Sequence, residues 1–336
     1  MQNRFNLSHS SMVLLGICLL GICAPMLGQQ QAPGLHGVDM TDVAPASVNP
    51  DQIAILRWYQ ANLTATFGVG DGPGQIAFDG ASVWVTNFSA NTVTKLRASD
   101  GTRLGTFPAG TSPSGIAFDG ATIWVADQGS SSVMRLRASD GKSLGSFPVG
   151  FSPFGVAFDG ADIWVSNLGS NNVTKLRALD GRLLGTFPVG FAPEGIAFDG
   201  ANIWVANTGD STLSKLRAAD GRLVGTFTAG VGPVAVAFDG LHIWVVNQGS
   251  NTVTKLQASD GTVLGNFPVG ALPQGVVFDG ANIWVTNFSS NNVTKLRASD
   301  GSLIGTFRTG QFPEGIAFDG ANVWVVNAGS NTVSKR

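Results

Sequence analysis

The chain has 336 residues and a net charge of −2, and 43% of its residues are hydrophobic while only 12% are charged. A chain of this length and apolar content can bury a large core, which excludes an intrinsically disordered protein. The small net charge argues against a nucleic-acid partner and against binding to an anionic membrane surface.

Residues 1–28 indicate export. One basic residue, Arg4, precedes an apolar run over 12–27, which is short for a membrane span and typical of a secretory signal peptide. Cys18 and Cys23 leave a lipoprotein anchor as an alternative, although Ile precedes each of them where a small residue is expected. We therefore expect a secreted, periplasmic or cell-surface protein, with no disulfide and no membrane span in the mature chain.

Residues 29–63 are predicted to form a flexible leader that contains a short helix. The first part is polar, contains proline and lacks periodicity, as linkers do. Near its end, Asn49 suits a helix N-cap and Pro50 suits the first helical position. The predicted helix therefore lies directly before the next domain.

Residues 64–336 form a strictly periodic domain. The tripeptide Phe-Asp-Gly recurs every 40 residues, beginning at Phe78, Phe118, Phe158, Phe198, Phe238, Phe278 and Phe318. A tryptophan follows six residues after each of these, so seven of the eight tryptophans occupy one position of the repeat. A fixed period of this length indicates an array of one supersecondary unit.

Each copy contains four short β-type runs, which we name strands a, b, c and d. In the fourth copy they span 195–199, 202–207, 212–218 and 223–230. They are rich in β-branched and aromatic residues, and Asp-Gly pairs between a and b and between c and d suit tight hairpins. Each unit is therefore predicted to be a four-stranded antiparallel meander, the blade of a β-propeller.

The two ends of the periodic domain complement each other. The last copy contains strands a, b and c but no d, whereas residues 65–70 resemble a d strand that has no a, b or c of its own. Phe67 is in register with Phe107 and with the other d-strand phenylalanines. We predict an all-β fold, a seven-bladed β-propeller of seven 40-residue repeats with four antiparallel strands per blade, closed when the N-terminal strand completes the last blade.

The repeated motifs resemble a known family. Trp-Val-Thr-Asn at 84–87 and 284–287, Asn-Asn-Val-Thr-Lys-Leu at 291–296 and Gly-Thr-Phe-Pro-Val-Gly at 185–190 are similar to the YVTN-type β-propeller repeat, with Trp in place of Tyr. The resemblance covers residues 65–336 and implies a seven-bladed propeller of the YVTN/NHL-like kind, from surface-layer or periplasmic proteins that share no catalytic motif.

More distantly, the chain is similar to virginiamycin B lyase-like and gluconolactonase propellers. The lyase-like propellers use a cluster of His and Glu with magnesium. This sequence has no matching histidine in its variable loops, since His36 lies in the leader and His242 lies in an a–b turn. The departure argues against lyase activity.

Residues present in every copy are interpreted as framework. The tryptophans are expected to pack between blades rather than to stack on a cofactor. The turn aspartates, such as Asp79 and Asp100, are expected to cap their own backbone rather than to act in catalysis. The basic residues at alternate positions of strand c, such as Lys95 and Arg97, are expected to form a solvated or ion-paired belt.

Candidate binding residues are those that break the repeat. Strand direction puts the variable b–c and d–a loops on one face of the disc, which is where a rigid scaffold carries a site. The phenylalanines among these variable positions either form a platform for sugar rings or an apolar partner, or fold over the blade tops. The candidate ligand- or partner-binding residues are Phe88, Phe151, Phe154, Phe191, Glu194, Phe288, Phe312 and Glu314.

Three functions remain open at this point. The first is an exported binding module whose protein or glycan partner docks on the variable loops. The second is a metal-assisted lyase or lactonase that uses Glu194, Glu314 and Asp127, and the third is a passive cell-surface structural protein. Glu194 and Glu314 could offer oxygen ligands to Ca²⁺, but copies four and seven lie almost opposite each other in the ring, too far apart for one ion unless the channel is narrow. No metal site, cofactor or catalytic residue is predicted.

Overall fold

The computed structural model describes residues 65–336, which form 28 β-strands and one short 3-10 helix, Ala328–Ser330. The predicted signal peptide (1–28) and leader (29–63) lie outside the described residues. Within 65–336, no helix has the length and apolarity that crossing a membrane requires.

The strands fall into the four classes that the repeat predicts. The a strands are β2 (Pro73–Phe78), β6 (Pro113–Phe118), β10 (Pro153–Phe158), β14 (Pro193–Phe198), β18 (Pro233–Phe238), β22 (Pro273–Phe278) and β26 (Pro313–Phe318). The b strands are β3 (Ser82–Asn87), β7 (Thr122–Asp127), β11 (Asp162–Asn167), β15 (Asn202–Asn207), β19 (His242–Asn247), β23 (Asn282–Asn287) and β27 (Val323–Asn327). The c strands are β4 (Thr92–Arg97), β8 (Ser132–Arg137), β12 (Asn172–Arg177), β16 (Thr212–Arg217), β20 (Thr252–Gln257), β24 (Asn292–Arg297) and β28 (Thr332–Lys335). The d strands are β5 (Arg103–Pro108), β9 (Ser143–Pro148), β13 (Leu183–Pro188), β17 (Leu223–Thr228), β21 (Val263–Pro268), β25 (Leu303–Arg308) and β1 (Ala65–Gly68).

The strands form seven antiparallel sheets, each in the order a-b-c-d. We number the blades from blade 1 (β2 to β5) to blade 7 (β26 to β28 with β1). The a strands of neighbouring blades contact each other around the whole ring, including β26 with β2, so they line a central channel. The d strands form the outer edge of each sheet. The predicted seven-bladed β-propeller is therefore confirmed.

The ring closes as predicted. β1 pairs antiparallel with β28, with Phe67 opposite Val333. The rings of Phe67 and Trp324 are 5.6 Å apart, and those of Phe107 and Trp84 in blade 1 are 5.5 Å apart. The strand that precedes the first repeat is thus the outer strand of the last blade.

The core consists of seven clusters that join neighbouring blades. In one of them, Trp204 of blade 4 packs against Ile243, Val245 and Leu256 of blade 5. Trp204 is fully buried, and burial of a tryptophan contributes on the order of 4 to 6 kcal/mol of transfer free energy before entropy is subtracted. The predicted packing role of the repeated tryptophans is confirmed.

The repeated aspartate that follows each a strand forms hydrogen bonds both within the a–b turn and with a core tryptophan. The Asp199 Oδ1 atom accepts hydrogen bonds from the backbone N–H groups of Ala201 and Asn202, and Oδ2 accepts the indole N–H of Trp204 at 2.8 Å. Burial alone would raise the pKa of Asp199, but these hydrogen bonds hold it below its ordinary value. The turn role was predicted, whereas the bond to the tryptophan was not.

The lysines of strand c join adjacent blades. Lys215 is buried, its Nζ lies 5.0 Å from the ring centroid of Trp204, and it donates to the carbonyl oxygen of Ala258 in the next blade at 2.7 Å. In contrast, Arg217 forms an exposed ion pair with Asp220 in its own c–d turn. Ion pairs with aspartates also form at Lys95, Lys175 and Lys295. The expected ion pairing is therefore found for both residue types, whereas Lys215 and most of the other strand c lysines are buried and not solvated.

Candidate functional site

The b–c and d–a loops lie together on one side of the disc, which we call the loop face. Within blade 1, the backbone N–H of Phe88 in the b–c loop donates to the carbonyl oxygen of Gly72 in the preceding d–a loop at 2.8 Å. Between blades, Asn291 accepts the backbone N–H of Phe312 on its Oδ1 atom at 2.8 Å. These bonds fix the loops on the rigid propeller.

A β-bulge at the start of each a strand builds the channel mouth. In blade 4, Pro193 pairs with Asn207 and Ile196 pairs with Val205, so two residues of β14 oppose one residue of β15. The first of the two bulge residues differs between copies, and in blades 3 to 6 it lines the channel. In blade order this position holds Gly74, Ser114, Phe154, Glu194, Val234, Gln274 and Glu314.

The second bulge position is glycine in five blades because neighbouring a strands approach closely there. A Cβ atom added at Gly275 would lie 2.5 Å from the carbonyl oxygen of Glu314, and one added at Gly155 would lie 2.5 Å from that of Glu194. Contacts of this kind with backbone can be relieved only if the strands move apart. The glycines therefore set the width of the channel.

We expect Gly275→Ala to lower the free energy of unfolding by about 2 kcal/mol, because the new methyl group overpacks the contact between β22 and β26. Gly74→Ala is the matched control, since its Cβ would come no closer than 3.5 Å to the Glu314 carboxylate. Urea unfolding of both variants measures the difference. Equal stability would contradict the close approach of the strands.

The channel beneath the mouth is narrow, and polar and apolar groups both line it. It has a volume of about 140 Å³, and its lining includes Gln75, Phe154, Glu194, Ile196 and Gln274. Burial raises the pKa of Glu194 to about 7, and a hydrogen bond with Thr208 opposes this shift. Glu194 is thus poised between its neutral and charged forms at neutral pH.

A second cavity opens beside the channel on the loop face, and we call it the mouth pocket. It has a volume of about 270 Å³ and joins residues of blades 1, 2, 3 and 7. Gln75 and Phe154 line both this pocket and the channel. Burial raises the pKa of Glu314 to about 7. The side chains that define the mouth pocket are Gln75, Phe88, Ser114, Phe154, Glu314 and Ala328.

The structure separates the predicted phenylalanines into groups. Phe88 and Phe154 lie in the mouth pocket with Glu314. Phe151 and Phe191 line neither cavity and are 71% and 60% exposed on the rim of the loop face. Two further rings form a separate pair: Phe288 stacks on Phe312 with centroids 4.8 Å apart.

Asp127 does not face a ligand site. It is fully buried at the end of β7, where its Oδ1 atom accepts the backbone N–H of Gly110 at 3.0 Å and its Oδ2 atom has no hydrogen-bond partner. Burial raises the pKa of Asp127 to about 7, against the effect of the Gly110 bond. The enzyme alternative also named Asp127, which lines neither the channel nor the mouth pocket.

The remaining polar groups do not form a metal centre. Within residues 65–336, no group of three or more His, Cys, Asp or Glu side chains is arranged to hold a metal ion. Glu194 and Glu314 line different cavities. His242 begins β19, next to the a–b turn, and its Nδ1 atom lies 3.1 Å from Asp239 Oδ2, away from the loop face.

The sequence analysis missed the glutamines and the serine of the channel mouth. Ser114 and Gln274 occupy the variable bulge position, so the residue between the proline and the glycine of strand a was the signal that could have found them. Gln75 was harder to find, because blade 1 reads Pro-Gly-Gln where most copies read Pro-X-Gly. That exchange puts a long polar side chain at the position that is usually glycine.

Comparison with known proteins supports the fold. No protein-family model matches the sequence, and the curated proteins give no match. A streptogramin B lyase structure has a TM-score of 0.71 at 19% identity, covering 81% of this chain and 96% of that chain. The virginiamycin B lyase of Staphylococcus aureus has a TM-score of 0.70 at 18% identity, covering 81% and 98%.

The Kuenenia stuttgartiensis hydrazine synthase has a TM-score of 0.70 at 20% identity, covering 79% of this chain and 95% of that chain. At these identities the likeness shows the fold alone. It agrees with the distant similarity to virginiamycin B lyase-like propellers, while the resemblance to YVTN repeats rests on the motifs of the sequence. The chain is a seven-bladed β-propeller similar in fold to these proteins.

Proposed function

We propose that this protein is an exported binding module that takes a ligand, or a segment of a protein or glycan partner, at the mouth of its channel. The observation that carries the proposal is the mouth pocket, in which Phe88, Phe154 and Glu314 come from three blades. The framework around the pocket is nearly the same in every blade. Differences in sequence between repeats that are concentrated at one opening of a rigid scaffold are typical of a binding site.

Export is the second part of the proposal. It rests on the sequence of residues 1–28, with a basic start and an apolar run over 12–27. N-terminal sequencing of the protein recovered from the extracytoplasmic fraction of its source tests it, since a start after residue 28 or close to it is expected.

We expect Phe154→Ala to weaken a ligand of the mouth pocket by at least about tenfold, because a buried ring contributes about 1.5 to 3 kcal/mol of apolar contact. Crystals are soaked with monosaccharides and small aromatic compounds, and the affinity of each compound that binds is then measured by titration. Phe151→Ala, on the rim, is the matched control and is expected to leave the affinity within about twofold.

The opposite pattern has a clear meaning. Affinity lost with Phe151→Ala and kept with Phe154→Ala would move the site from the pocket to the rim, as a broad partner platform requires. Electron density found only at the a–b and c–d turns, on the other side of the disc, would overturn the proposal.

An enzyme is the second candidate, and one observation favours it. Burial raises the pKa of Glu194 and of Glu314 to about 7, a value suited to proton transfer at neutral pH. Two of the proteins similar in fold are lyases for streptogramin B and virginiamycin B. Chromatography of these compounds after incubation, with Glu194→Gln and with EDTA, tests this candidate. No turnover by the unmodified protein would remove it for these substrates.

A further inference from the structure

We infer that the mouth pocket selects ligands that join a positive charge to an apolar body, as small organic ammonium compounds do. This inference rests on the proposed function, because it names the ligand class of the same pocket. It follows from the charge of the pocket wall, from the charge of the whole loop face and from the aromatic rings beside the carboxylate.

Among residues 65–336, Glu314 is the only charged side chain that lines the mouth pocket. It lies on β26, which packs against β2, β22, β23, β27 and the 3-10 helix Ala328–Ser330. None of these elements carries a charged residue. A carboxylate in such surroundings is costly unless a cation or hydrogen-bond donors compensate for its lost hydration. The described part of the chain supplies no cation there. A positively charged ligand can therefore compensate the Glu314 carboxylate.

The charges of the loop face favour the same ligand class. Besides Glu194 and Glu314 it exposes Asp71 and Asp210 in its loops. The described basic residues lie on the c strands, in the c–d turns and at the starts of the d strands, with two exceptions: Arg336 directly follows β28, and Arg308 lies at the far end of β25. An approaching cation is therefore attracted to this face, and an anion is repelled.

The walls of the pocket suit the apolar part of such a ligand. Phe88 and Phe154 flank the cavity, together with two prolines, Pro73 and Pro113. The face of an aromatic ring attracts a cation, and quaternary ammonium groups are bound by aromatic side chains in this way. A volume of about 270 Å³ accommodates a small organic ion.

The test uses calorimetric titration of the full-length protein with three aromatic probes of different charge. They share a phenyl ring and differ in the charge and size of its substituent: benzyltrimethylammonium, neutral benzyl alcohol and the anion benzoate. We expect the cation to bind at least about tenfold more tightly than benzyl alcohol, and benzoate to bind most weakly. Glu314→Gln is expected to remove the advantage of the cation. Asp210→Asn changes the net charge equally and is expected to alter affinity less than about threefold.

Titration at two pH values adds a second readout. The probe carries a permanent charge, so its affinity is expected to rise between about pH 6 and about pH 8 as Glu314 ionises. Glu194 in the adjacent channel titrates in the same range. The Glu314→Gln variant separates the two, because it is expected to remove most of the pH dependence while Glu194 remains.

The outcomes distinguish this inference from the proposed function. Equal binding of the cation and of benzyl alcohol, both lost in Phe154→Ala, would support the pocket and overturn the selection of cations. Tight binding of the cation that Glu314→Gln leaves unchanged would also overturn it. Failure of all three probes, together with empty soaked crystals, would overturn both.

Discussion

Replacement of Phe67 by alanine is expected to lower the free energy of unfolding by about 3 kcal/mol. Phe67 lies on the closing strand β1, where its ring packs against Trp324 and also covers Gly101 in the c–d turn of blade 1. The variant loses apolar contacts to both blades at the point where the ring closes. Thermal and urea unfolding of the purified variant measure the loss.

Phe107→Ala is the matched control for the closing strand. Phe107 occupies the same position in blade 1, where it packs against Trp84 and covers Gly141 of the next blade. A similar loss of stability is expected, because the contacts are equivalent. If Phe107→Ala lowered the stability and Phe67→Ala did not, β1 would not be part of the ring.

Asp127→Asn is expected to stabilise the protein, by up to about 4 kcal/mol above about pH 7. Six blades place asparagine at the end of strand b, and in blade 1 the Asn87 Nδ2 atom donates to the hydroxyls of Thr92 and Thr94. A buried carboxylate cannot donate in this way. The amide restores a neutral donor at a fully buried position.

The sign of the pH dependence follows from the raised pKa. Burial moves the pKa of Asp127 from 3.8 to about 7, so the folded protein holds a proton that the unfolded chain has released. Stability from this group is therefore fully present below about pH 4, declines as the pH rises and is lost above about pH 7. The gain from Asp127→Asn should follow the same curve in reverse.

Asn167→Asp is the control for the pH effect. It puts a carboxyl group at the equivalent buried position of blade 3, where the Asn167 Nδ2 atom donates to Asn172 and Thr174. We expect Asn167→Asp to lower the free energy of unfolding, and this loss to grow over the same pH range in which Asp127→Asn raises it. A difference between Asp127→Asn and the unmodified protein that does not change with pH would contradict the raised pKa.

The architecture could be predicted from the sequence because the same signals occur in each repeat. The position of Phe67 relative to Phe107 was enough to predict the closure of the ring, since the register of β1 is the same as that of β5. The framework motifs occur in all seven repeats, so each copy supports the same prediction of the fold.

The candidate site was less predictable for a physical reason. Whether Phe154 and Glu314 share a cavity depends on the bulges and on the diameter of the ring, which no local pattern specifies. The burial of Lys215 was not predicted for the same reason, because its acceptor, Ala258, lies 43 residues away in the next blade. Contacts between blades join distant positions, whereas the repeat reports on positions within one blade.

The pairing of Ala65 with Lys335 brings the two ends of the described chain side by side. A circular permutant of residues 65–336 is therefore geometrically accessible, with Arg336 joined to Ala65 by a short linker and new ends opened in any exposed c–d turn. In such a molecule the seventh blade would be encoded without interruption, and a different blade would become the composite one. The blade at which the chain begins can thus be changed without changing the order of the blades around the ring.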